Sequence, residues 1–92
     1  MLPKLVDVKY QGDYRIWLRF ADDVEGEVDL ESELWGEVFQ PLKDKKFFEK
    51  FLLDEELETI VWPNGADFAP EFLYQQLCPD YELKPSAKGR VA

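Results

Sequence analysis

The chain has no histidine and only one cysteine, Cys78, in its 92 residues. Histidine is the side chain that most readily trades a proton near neutral pH, so its absence removes the usual general base. It also removes the partner that would activate Cys78 as a nucleophile. A single thiol excludes an intrachain disulfide and suits a reducing compartment, so a cytoplasmic location is expected. Glycines are few, five in all, and none forms a phosphate-cradling loop. No apolar run has the length of a membrane span. Met1-Leu2-Pro3-Lys4 leads straight into strand-like sequence containing Asp7 and Lys9, without the uninterrupted apolar region of a signal peptide. Bases are scarce, eleven against twenty acids for a formal charge of −9, and such a chain repels a phosphate backbone unless its cations gather on one face. The expectation is no catalytic residue, no cofactor, no metal, no membrane and no direct nucleic-acid contact.

What the chain does have is aromatic mass and acid. Fourteen residues are Phe, Trp or Tyr and 46% are apolar, which suits one hydrophobic core in a chain too short for two. The acids are unevenly placed. Asp22, Asp23, Glu25, Glu27, Asp29, Glu31, Glu33 and Glu37 form a stretch without a base, and Lys43, Lys45, Lys46 and Lys50 follow it. A negative flank is predicted, serving either as a solvated surface or as a docking site for a basic partner.

Local patterning predicts an α+β domain over residues 1–78 and a polar tail over 79–92. Leu5 to Tyr10 is rich in β-branched and aromatic residues and ends at Gln11-Gly12-Asp13, so it reads as a strand leading into a turn. Tyr14 to Phe20 alternates, with Tyr14, Ile16, Leu18 and Phe20 on one face and Arg15, Trp17 and Arg19 on the other. Val24 to Leu30 alternates again, which completes a three-stranded meander, with Arg15 and Arg19 across from Glu25 and Glu27. A short helical turn capped by Asp29 or Ser32 and ended by Gly36 comes next, then a compact helix that begins at the cap Asp44 and turns its aromatics inward. Asp54 to Trp62 closes a second hairpin. Pro63 then stops strand pairing, Asn64-Gly65 turns the chain, and Pro70 opens a last helix that ends near Cys78. The total is an antiparallel sheet of about five strands with two or three short helices, because such short connections make no parallel crossovers.

Few residues stand out as a site. Asn64, Gly65 and Asp67 form a polar group between apolar elements, where binding loops often lie. Their structural reading is a turn, with the Asp67 carboxylate capping the helix or tying loop amides. The alternating acids lack the converging geometry and ligand spacing of a calcium loop. Trp17, between two arginines on the polar face of its strand, reads either as an interface anchor or as a residue covered by a helix. Cys78 beside Pro79 reads as a buried thiol at a helix end.

Trp62-Pro63-Asn64-Gly65-Ala66-Asp67-Phe68, followed by Pro70-Glu71 and Leu73-Tyr74, resembles the closing motif of a bacterial family of small proteins, domain-of-unknown-function family 2442. The likeness runs over residues 4–77, with Tyr14 to Phe20, Val28-Asp29-Leu30, Leu42, Asp44, Phe47 and the Asp54 to Trp62 hairpin in the family's order. One departure is Asp22-Asp23, where the family commonly has an acid or Asn followed by Gly. The resemblance implies an antiparallel sheet with helices, no established enzymatic activity, and frequent occurrence beside a second small protein in the manner of a toxin and its antitoxin. Some relatives carry a C-terminal helix-turn-helix domain, which is not expected within these 92 residues, so any DNA contact is expected through a partner. The functional expectation is therefore a non-enzymatic binding or regulatory module, antitoxin-like, with a basic protein partner. The alternatives are a small-molecule or metal site at Asn64, Gly65 and Asp67, and a homo-oligomer formed through a sheet edge or Trp17.

Overall fold

Alternation builds the first sheet. A computed structural model describes residues 3–79, and in it β1 (Leu5–Tyr10), β2 (Arg15–Phe20) and β3 (Glu25–Asp29) pair antiparallel in the order β1-β2-β3. Ile16, Leu18 and Phe20 are fully buried, and Val28 beside them is nearly so. Arg15, Trp17 and Arg19 point the other way, as the period of two requires. Gly12 and Asp13 turn the first hairpin with positive φ, and Asp23 turns the second at φ 69°. Arg19 pairs with Glu25 as expected, but Arg15 pairs with Asp29 and Glu27 stands opposite Trp17.

After the sheet the chain runs through two 3-10 turns, Glu31–Glu33 and Gln40–Lys43, to α1 (Lys45–Phe48). The Asp29 carboxylate accepts from the N–H of Glu31 and the Asp44 carboxylate from that of Lys46, so both predicted acids hold their turns. Ser32 instead donates to Glu33. Only Phe48 of the α1 aromatics is buried, while Phe47 is half-buried. β4 (Leu52–Asp54) and β5 (Thr59–Val61) form the second hairpin, and α2 (Pro70–Leu77) ends the described chain with Pro70 in its first turn.

The largest sheet has three strands, not five, because the second hairpin makes a sheet of its own. β1 lies against β4 without a ladder. The pairing of β1 with β2 slips in register at Val6, and the outward N–H of Val8 already donates to the Asp7 carboxylate at 2.9 Å. An edge broken by a bulge and occupied by a neighbouring side chain does not accept another strand.

Between the two sheets the aromatic rings form a continuous chain. Phe48 meets Tyr14 at 5.3 Å and Trp62 at 5.6 Å, Trp62 meets Phe68 at 5.8 Å, and Phe68 stacks on Phe39 at 4.9 Å and on Phe72 at 5.7 Å. Each buried ring of this size contributes roughly 1.5–3 kcal/mol of apolar burial. α2 lies across the inner side of β3, where a Cβ on Gly26 would stand 2.9 Å from Leu77 Cδ2, so glycine there lets helix and strand approach closely. Among the described residues no helix is long and apolar enough to cross a membrane. Beyond Pro79, the polar tail lies outside the described residues.

Candidate functional site

The closing motif is built into the fold rather than held out to solvent. Trp62 is buried, and its indole N–H donates to the Phe48 carbonyl at 2.7 Å. The turn after it is closed by Gly65 N–H to the Trp62 carbonyl and Trp62 N–H to the Ala66 carbonyl, each 2.9 Å. Gly65 sits at φ 88°, which costs a glycine little and other residues more. Pro63, Asn64 and Gly65 are exposed. The Asn64 side chain is nevertheless occupied at both ends, since Nδ2 donates to the Val38 carbonyl at 2.9 Å and Oδ1 accepts from the Ala66 N–H at 3.2 Å. Asp67 is buried and bridges β5 at Val61. The cap position of α2 is Ala69, which makes no side-chain bond; Pro70, with no N–H, already removes one of the donors a cap would satisfy. Thr59, which sequence reading passed over, is fully buried with its hydroxyl donating to the Phe68 carbonyl at 2.5 Å. Its polar side chain within an apolar strand was the signal that a buried acceptor faces it.

Trp17 lies elsewhere. It is half-buried in the middle of the outward face of the first sheet, with Lys9 and Glu27 as its cross-strand neighbours. The Lys9 ammonium stands 5.5 Å from the ring centre, and Arg15 reaches diagonally to Glu27 at 3.4 Å. Glu25, Glu27, Asp29, Glu31 and Ser32 are all exposed around this face. The closing motif and Trp17 are therefore not one site.

A third group joins distant parts of the chain. The Tyr74 hydroxyl donates to the Asp22 carboxylate at 2.5 Å, and its ring meets Phe20 edge-on at 4.9 Å. The Asp22 bond holds the phenol proton far above the ordinary tyrosine range, aided by desolvation, the Asp22 charge and the nearby Cys78 thiol. Cys78 is half-exposed at the end of α2, not buried as expected, because the helix ends as its last turn leaves the core. The Asp13 carboxylate pairs with Lys45 at 3.0 Å, which lowers the acid's pKa and raises that of the amine. Among the described residues no three of His, Cys, Asp and Glu converge as a metal site.

No curated protein and no solved structure matches this chain. A family model described as a protein of unknown function, DUF2442, matches residues 5–77, a span that runs from the first strand to the end of α2 and takes in the whole closing motif. The chain therefore belongs to that family of unknown function.

Proposed function

We propose that this domain is a non-enzymatic protein-binding module, the antitoxin-like member of a two-protein system, and that it meets a basic partner through the outward face of its three-stranded sheet. The observation that carries this reading is the position of Trp17. A tryptophan half-buried at the centre of a sheet face and ringed by charged residues has the form of an interface anchor with a polar rim. The acids of β3 give the rim its sign, because Glu25, Glu27 and Asp29 project side by side from an edge strand. The alternative of a ligand or cation at Asn64, Gly65 and Asp67 draws no support from geometry, since both ends of the Asn64 amide already bond the backbone.

Affinity capture with the tagged domain from its native cell tests this. The expected result is one basic protein, recovered at low salt, lost from the Trp17→Ala variant and weakened in a Glu25→Gln, Glu27→Gln, Asp29→Asn variant, with thermal melts confirming that both fold. Capture unchanged by both variants would sink the proposal.

A further inference from the structure

The two edges of the three-stranded sheet are guarded in different ways. In an antiparallel pair, alternate residues turn their N–H and C=O toward the partner strand and the rest turn theirs away. Phe20 N–H bonds the Val24 carbonyl at 2.8 Å and Leu30 N–H bonds the Tyr14 carbonyl at 2.9 Å. With the unbroken register of β2 and β3, this assigns the even-numbered residues to the ladder. The N–H and C=O of Glu25, Glu27 and Asp29 therefore face outward, and no described residue bonds them. β1 is closed by its register slip at Val6 and by the Asp7 carboxylate on Val8 N–H. β3 has neither device. Its register with β2 is unbroken, and among the described residues only the charge of its three exposed acids protects it.

Protection by charge is selective. A second copy of this chain pairing edge to edge would set acids opposite acids, which is unfavourable. An extended segment with cations at the same spacing would meet no such barrier. We infer that the open edge of β3 is the docking site for an extended basic segment of the partner, which adds a fourth, antiparallel strand to the sheet. Its Lys or Arg residues fall at every second position, about 7 Å apart, and lie opposite Glu25, Glu27 and Asp29. Each then exchanges backbone hydrogen bonds with the residue whose carboxylate it neutralises. The residues between them point to the inner side, where Leu77 of α2 covers Gly26, so they are β-branched or apolar. The recognition element is a strand of alternating cations and apolar residues, with Trp17 one strand away on the same face as the cations.

This inference rests on the reading of a basic protein partner, but it has its own test on the isolated wild-type domain. The probe is an amidated, acetylated seven-residue peptide alternating lysine and valine, with lysine at both ends. Its counterpart has the same charge and side chains but carries methyl groups on the lysine backbone nitrogens. Titration at low salt, followed by amide NMR, is expected to slow hydrogen exchange at Glu25, Glu27 and Asp29, and the methylated peptide is expected to bind about tenfold more weakly. Equal affinity of the two peptides, or unchanged exchange at those three amides at saturation, would overturn the docking of a strand. The binding-module reading would survive that outcome, because the Trp17→Ala capture experiment decides it separately.

Discussion

Trp62 shows how one side chain can serve the fold through both of its chemistries. Its rings complete the aromatic chain between Phe48 and Phe68, while its N–H satisfies a backbone carbonyl that no strand or helix reaches. Trp62→Phe keeps much of the ring and strands the Phe48 carbonyl, so it is expected to cost about 1–3 kcal/mol in urea denaturation. Tyr74 makes a prediction of the opposite kind, in pH. Because Asp22 raises the pKa of the phenol, the folded state holds this proton where the unfolded chain, with a tyrosine pKa of about 10, gives it up. The stabilisation is therefore intact below about pH 10 and is lost as the pH climbs from there toward the folded value. Tyr74→Phe should flatten the decline in stability between pH 9 and 11.5, and parallel declines in the two proteins would show that the bond to Asp22 does not hold in solution.

At the level of the element, turns and caps follow the rules that local sequence obeys. Asp29, Asp44 and Asp54 each fold a carboxylate back onto nearby backbone N–H groups, a bond that short polar side chains make wherever the chain turns. The turn between β2 and β3 is the exception. Asp23 occupies the left-handed region at φ 69°, where the family resemblance anticipates glycine and where a side chain is strained by roughly 1–2 kcal/mol. Asp22 compensates by bonding both the Val24 N–H and the Tyr74 hydroxyl. Replacing Asp23→Gly should relieve the strain, minus the entropy that glycine gains in the unfolded chain, for a net stabilisation of about 0.5 kcal/mol measured by thermal or urea unfolding. The strands were legible from alternation alone, as Ile16, Leu18 and Phe20 illustrate. Their division into two sheets was not, because it depends on how the edge of β1 is blocked by Asp7 and the slip at Val6.

For the molecule as a whole the dominant fact is charge. A net −9 on 92 residues repels itself in the folded state and attracts basic partners over a distance that salt shortens. The two effects carry opposite signs. Raising salt from 20 to 300 mM should increase the melting temperature of the free domain and at the same time weaken capture of the proposed partner. A partner complex indifferent to salt would mean that Trp17 and its apolar surroundings, not the acids, carry the affinity. The acid stretch itself proved less uniform than its sequence suggests, since Arg15 ties up Glu27 and Arg19 stands opposite Glu25, while Asp22 is spent on Tyr74.

The meander, the second hairpin, the turn at Asn64-Gly65 and the helix opened by Pro70 can all be read from local residues, because alternation, turn chemistry and proline geometry act over a few positions. The sequence by itself also determined the sign of the surface. The partners of the polar side chains, by contrast, came from packing across the fold. Asn64 reaches a carbonyl 26 residues away, and Tyr74 a carboxylate 52 residues away. Such contacts are settled by packing, which no local pattern encodes, and they tie the Asn64 turn to the rest of the core while the outward backbone groups of β3 and one face of Trp17 lie on the outer side of the sheet.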